Sequence, residues 1–203
     1  GGNEMTDAAY SSGGELVFNN FVVMKQNDNV ITSADIAITG YQMTASLGGV
    51  QGNIGIRTIY QIEQAANNEN IKEIGLVIGL DSGEITDNDM VIGSNSNYVV
   101  NVASTENGKS DVKLGTSDTA DYYVMTMDIS MGYNQDYKVR PYAILQDGSV
   151  VYGDVDGYNV FDVAAIIYNN SFMPNPQSHD TLYEQVLKKV DPSYQKVEYT
   201  GQG

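Results

Sequence analysis

The chain has 203 residues, 41 % of them hydrophobic, which suits one large domain or a domain with an appended subdomain and excludes wholesale disorder. Its 26 acidic against 10 basic residues leave a formal net charge of -16, a field that repels phosphate backbones and anionic membranes and so argues against nucleic-acid binding. Cysteine is absent, which removes disulfides and thiolate chemistry, and no apolar run approaches the ~18 residues needed to span a bilayer.

Residues 1–14 (GGNEMTDAAYSSGG) are small and polar without periodicity and read as a linker or remnant. Leu16 to Met24, rich in Val and Phe, predicts a strand, and Ile36 to Leu47 predicts another, with Ile36 and Ile38, then Met43, Ala45 and Leu47, in alternation. Ile54, Ile56, Thr58, Tyr60 and Ile62 fall on one face of the next strand, with Arg57 and Gln61 on the other. Residues 63–70 form a loop or helical turn. Ile71 to Leu80 alternates Ile74, Leu76 and Ile78 against Glu73, Gly75 and Val77. A short helical turn is expected at Ile85–Asn88, short strands at Met90–Gly93 and Tyr98–Ser104, and a polar loop over residues 105–119.

Tyr122 to Ile129 predicts a strand with Tyr123, Met125, Met127 and Ile129 inward. Asp136 to Leu145 and Val150 to Val155 flank Gln146-Asp147-Gly148-Ser149, and Asp-Gly between alternating apolar runs predicts a type I′ hairpin. Within the first of these strands, Tyr137, Val139, Ala143 and Leu145 face the core and Lys138, Arg140 and Tyr142 face out. Pro141 is discordant, because proline donates no ladder bond. A helix is expected from Asp162, and a second over Thr181 to Val190, capped by Ser178-His179-Asp180 and ended by Pro192.

Many short strands, no βαβ alternation and helices confined to the end predict a mainly β, antiparallel β-sandwich with a short C-terminal helical appendage. The expected divisions are a sandwich over residues 15–160, with 15–47 supplying extra N-terminal strands, a helical segment over 161–195 packed on it, and a tail over 196–203.

The run DYKVRPYAILQDGSVVYGD (Asp136–Asp154) resembles the last two strands of fibronectin type III and related immunoglobulin-like modules. Gly55–Glu63 (GIRTIYQIE), Ile74–Leu80, Tyr122–Met127 and Leu182–Gln195 together resemble a C-terminal domain of ruminococcal and clostridial cell-surface and polysaccharide-handling proteins. The first resemblance implies an immunoglobulin-like sandwich. The second implies a secreted or cell-surface protein of a gut bacterium. Neither carries over a binding residue.

Catalytic constellations are scarce. The single histidine, His179, has Ser178 and Asp180 as chain neighbours, and neighbours cannot take up the geometry of a triad. One histidine and no cysteine leave only carboxylates for zinc. The acids cluster in loops, at Asp81, Glu84, Asp87 and Asp89 and again at Asp147, Asp154 and Asp156, without the facing pair that glycoside hydrolysis needs. The expectation is therefore a non-enzyme. Asp154, Asp156, Asn159 and Asp162 offer hard oxygens at short spacing for calcium, and otherwise serve as turn and cap residues. For a saccharide, exposed rings are needed to stack on C–H faces. There is no tryptophan, but Tyr98, Tyr122 and Tyr142, with Arg140 two residues from Tyr142, alternate away from the core. Two functions remain: an extracellular binding or adhesion module, monomeric in isolation, for a polysaccharide or surface-protein partner, and a structural spacer without a ligand.

Overall fold

The computed structural model describes residues 31–44, 54–104, 113–129 and 132–201. The strand expected at Leu16–Met24 lies outside them. Among the described residues nine strands form two antiparallel sheets: β1 (Ile36–Thr44), β2 (Gly55–Glu63), β6 (Ala120–Asp128) and β5 (Lys113–Thr116) in that order, facing β4 (Val99–Ala103), β3 (Ile71–Leu80), β7 (Asp136–Leu145) and β8 (Val150–Tyr152), with β9 (Asp156–Asn159) also on β7. This order is that of the immunoglobulin-like sandwich, A-B-E-D against C′-C-F-G, with the last strand split in two. The fold is thus an antiparallel β-sandwich of immunoglobulin-like strand order. Helices α1 (Val160–Asn169) and α2 (Pro176–Leu182) follow; α2 continues through a π-helical turn, Tyr183–Leu187, into α3 (Lys188–Val190).

Period-2 alternation builds the core. Ile54, Ile56, Thr58, Tyr60 and Ile62 are all buried, and they meet the inner face of β3 and β7, where Ile74, Leu76, Val139 and Ala143 are buried too. Each fully buried aliphatic side chain is worth about 1.5–3 kcal/mol relative to exposure. The apolar positions of β1 change parity between Ile38 and Met43, and the structure supplies the reason. A bulge between Ile38 and Gly40 shifts the register, so that Ile36 and Ile38 before it and Tyr41 and Met43 after it share the inner face.

The hairpin departs from the expected type I′ turn. Gly148 has a positive φ of 88° but Asp147 does not, and the Gly148 N–H donates to the Leu145 carbonyl at 2.9 Å. This is a type I turn closed by a left-handed glycine, the three-residue hairpin loop. Asp147 fixes it by accepting from the Ser149 backbone N–H at 2.9 Å and the hydroxyl at 2.6 Å.

Pro141 turns out to fit. It pairs with Leu76 on one side, and on the other it falls in the gap between β8, whose pairing with β7 ends at Tyr142, and β9, whose pairing begins at Val139. No strand there requires its missing N–H. The expected strand to Val155 therefore stops at Tyr152. A strand unmarked in the sequence, β9, resumes beyond Gly153, and β5 likewise occupies part of the expected polar loop.

The outward face of β3 carries Gly75, Val77 and Gly79, and it is covered. Residues 81–98 fold over it and place Ile85 and Met90 with Val77, Val99 and Tyr142 in a second apolar cluster. The strand expected at Met90–Gly93 is therefore part of a covering loop, and the helical turn near it is a 3₁₀ turn at Asp87–Asp89 capped by Thr86. Cβ atoms on Gly75 and Gly79 would strike Tyr142 and Met90 respectively, so glycine is the only residue that leaves this cover room to close.

The helical end is built on Tyr168. Its ring stacks on His179 at 4.0 Å between centroids and on Tyr183 at 5.6 Å. Its hydroxyl accepts from the Val197 N–H and donates to the Val197 carbonyl, both at 3.0 Å. Ser171 Oγ accepts from the Thr200 N–H at 3.0 Å, and the Tyr199 hydroxyl donates to the Met173 carbonyl at 2.9 Å. The segment expected as a tail is thus bonded along the helices. The cap of α2 is Asn175, whose side chain accepts from the Ser178 N–H, six residues before the helix start expected at Thr181–Val190; Pro176 at the first helical position completes the signal.

Asp121 points inward beside Tyr123, where burial pushes its carboxyl up. Hydrogen bonds from Lys113, Thr116 and Asn67 and the Lys113 charge more than offset this and hold it below the ordinary aspartate range. A carboxyl depressed in the folded state stabilises fully above its unfolded value, about pH 3.9, and that contribution disappears as pH falls through the folded value. The expected result is that Asp121→Asn loses stability at pH 7 and shows a flatter acid limb below pH 4 than the parent in denaturant midpoints measured against pH.

Candidate functional site

The tyrosines expected to form a surface are dispersed. Tyr122 pairs with Gln61 on the outer face of the four-stranded sheet and is half-buried. Arg140 and Tyr142 lie on the outer face of the other sheet, the opposite side of the sandwich. Tyr142 does point away from the main core, but it is 0 % exposed, sealed into the second cluster. Burial, with the nearby Glu73 charge, pushes its phenol up to about 12. Arg140 is held by the carbonyls of Gly153 (Nε, 2.8 Å) and Met90 (Nη1, 3.2 Å) and lies over the Tyr152 ring at 4.6 Å. It fills the gap between β8 and β9. Tyr98, 41 % exposed at the start of β4, shares no face with them. The surface expected of Tyr98, Tyr122, Arg140 and Tyr142 is not assembled.

The four residues proposed for calcium are used elsewhere. The Asn159 side-chain oxygen caps α1 by accepting from the Asp162 N–H at 3.0 Å, and its amide donates to Asp136 at 2.7 Å and Asn134 at 3.1 Å. Asp156 accepts from the Tyr41 hydroxyl. Asp154 and Asp162 are exposed, and among the described residues no three His, Cys, Asp or Glu side chains gather as metal ligands would. The turn-and-cap role explains these residues. His179 is buried, with Nε2 3.0 Å from the Tyr168 carbonyl oxygen, and is a packing residue.

A site of different composition lies where the sandwich meets its helices. A cleft of about 640 Å³ runs along the edge of β1 that pairs with no strand among the described residues, lined by Tyr41, Gln42, Met43, Arg57, Ile167, Phe172, Met173, Pro174, Asn175 and Ser178. Being at an edge, it collects side chains from both faces of the sheet. Tyr41 and Met43 come from the inner face, while the register partners Gln42 and Arg57 come from the outer. Its opposite wall is the connection between α1 and α2, where Phe172 is 57 % exposed although the residues on either side, Ser171 and Met173, are buried. Ser171 has a positive φ of 53°, and this left-handed residue turns the chain so that Phe172 projects outward. The Arg57 Nη1 donates to Gln42 Oε1 at 3.1 Å. Chemically the cleft offers an apolar ring for stacking, amide groups, and a guanidinium on one rim, with no nucleophile–base pair. In the sequence, Arg57 reads only as an outward strand residue and Phe172 only as part of a Pro-containing loop. Nothing in their spacing brings them together.

Among the described residues no helix is long and apolar enough to cross a membrane. No protein-family model matches the chain and no curated protein matches it. Among solved structures it is similar to astrotactin-2, described as a conserved vertebrate-specific and perforin-like membrane protein involved in neuronal development, at 10 % identity and a TM-score of 0.27. The alignment covers 71 % of this chain but only 27 % of that one, so the chain spans about a quarter of that protein, and a likeness at this level carries no argument about function.

Proposed function

We propose that this chain is a non-catalytic extracellular binding module of a bacterial surface or secreted protein, and that it holds a saccharide in the cleft between β1 and the helices. The observation that carries the reading is Phe172. A large ring left 57 % exposed, on the wall of a cleft that also presents Gln42, Asn175 and Arg57, is the combination that stacks on a sugar face and bonds its hydroxyls. The extracellular and gut-bacterial setting is drawn from the resemblance of Gly55–Glu63 and Leu182–Gln195 to surface-protein domains, together with the low charged fraction of 18 %. The spacer alternative is favoured by one specific observation: Arg140 and Tyr142, the best binding candidates in the sequence, serve packing instead.

Affinity gel electrophoresis against plant cell-wall, starch and mucin glycans separates the two. Retardation is expected on at least one glycan, reduced several-fold by Phe172→Ala with an unchanged Tm, since an exposed side chain leaves the core intact. A wild-type protein that migrates freely through every glycan would sink the binding reading and leave the spacer.

A further inference from the structure

The two arginines of the chain are used in opposite ways. Arg140 is enclosed, with two carbonyl acceptors and a ring beneath it. Arg57 makes one hydrogen bond, to Gln42, and takes part in no ion pair among the described residues. Most of its five donors are therefore uncommitted, and they form a rigid fork suited to a planar acceptor with two oxygens.

The surroundings of Arg57 are equally uneven. The chain holds 26 acidic residues, yet among the described residues none lines this cleft. Elsewhere four lysines stand beside acids: Lys113 on Asp121, Lys138 between Asp81 and Asp87, Lys188 on Glu184 and Lys196 near Asp180. A half-buried guanidinium that makes no ion pair among the described residues, in so acidic a chain, is complementary to a carboxylate brought from outside. Gln42, its partner across the β1–β2 ladder, holds one nitrogen and so orients the rest of the fork. The overall negative field opposes dianionic sulfate or phosphate esters more than it opposes a monoanion. Phe172 on the facing wall adds an apolar surface that a small inorganic anion could not use.

On the reading that this cleft is the binding surface, we infer that its ligand is a carboxylate-bearing sugar, a single uronic acid residue, with the carboxylate on Arg57 and a C–H face of the ring on Phe172. The probe is galacturonic acid, titrated calorimetrically into this chain in low salt with a chelator present. Its methyl ester, the same sugar without charge, is the reference. The free acid is expected to bind at least about tenfold more tightly than the ester, because charge-assisted bidentate bonds are roughly twice as strong as neutral ones, and to weaken as salt is raised. Arg57→Gln removes the preference, and Arg57→Lys, which keeps the charge but not the fork, retains only part of it.

Equal binding of acid and ester by the wild-type chain would overturn the inference while leaving saccharide binding in place. A preference that survives Arg57→Gln overturns the assignment to Arg57. Glutamate binding as tightly as the uronic acid overturns the sugar. Binding of no saccharide at all fails the functional reading itself. The acid-against-ester comparison needs no variant, so it decides even if a substitution at Arg57 disturbs folding.

Discussion

Replacing Gly75 with alanine is expected to destabilise the protein by about 3 kcal/mol, the upper part of the usual cost of overpacking, with a fall in Tm of roughly 5–10 °C for a chain of this size. A Cβ at this position would overlap the Val102 carbonyl oxygen of β4 and lie 2.5 Å from the Tyr142 hydroxyl oxygen. Tyr142 cannot simply turn aside, because it is sealed under Ile85 and Met90 with Val77 and Val99 around it. Either β4 moves off β3 or the covering loop lifts, and both expose apolar surface. Adding Tyr142→Ala removes the whole ring, both the hydroxyl and the Cζ atom 2.7 Å from that Cβ, and leaves only the collision with Val102. The double variant should therefore be more stable than the sum of the single effects, a coupling readable from denaturant midpoints in a double-mutant cycle. A Gly75→Ala protein with parental stability would mean that the cover over β3 is loose and that the second cluster is not a packed unit.

The second large effect is expected at Tyr168. Tyr168→Ala should cost about 3–5 kcal/mol, in the range for deleting a buried aromatic side chain. It deletes the ring that stacks on His179 and Tyr183, and with it the hydroxyl that bonds both backbone groups of Val197. Tyr168→Phe separates these roles. It keeps the stack and loses only the two bonds to residue 197, a cost of roughly 1–3 kcal/mol at about 0.5–1.5 kcal/mol per hydrogen bond. Limited proteolysis should then cut beyond Asp191 in Tyr168→Phe while the sandwich survives, whereas Tyr168→Ala should open the helices as well. If the phenylalanine variant resists protease like the parent, the closing segment is held by its other contacts, Tyr199 on the Met173 carbonyl, Thr200 on Ser171 and Tyr194 against Phe161, rather than by the Tyr168 hydroxyl.

The architecture was readable where a single face is buried. Ile54 to Ile62 and Asp136 to Leu145 alternate cleanly, and both are strands with the expected core faces. Reading failed where a strand is covered on both sides. The alternation of β3 is real, but residues outside it in the sequence cover its second face, and no periodicity announces that Ile85 and Met90 will do so. That is why Tyr142, outward by parity, is inside by burial. β5 and β9 were missed because four polar or glycine-containing residues carry no pattern of their own; they are strands because β6 and β7 offer them an edge. The helix start was misplaced by assigning the cap to Ser178 and Asp180, when Asn175 followed by proline is the stronger signal. The cleft was illegible for a different reason. Arg57 and Phe172 are more than a hundred residues apart, and their meeting depends on how α1 docks against β1, a tertiary fact with no local signature.

The interruption of the last strand has a consequence beyond accommodating Pro141. A continuous outer strand exposes a row of free N–H and C=O groups that another chain can extend into a shared sheet. Here that strand is divided into runs of three and four residues, with Gly153 drawn in against Ile36 and the Arg140 side chain occupying the gap. An incoming strand could add only two short, separated sets of bonds. A protein carrying such modules at high local density therefore has, on this side of each one, a built-in guard against sheet-to-sheet polymerisation. Proline, glycine and arginine at positions 141, 153 and 140 maintain it together.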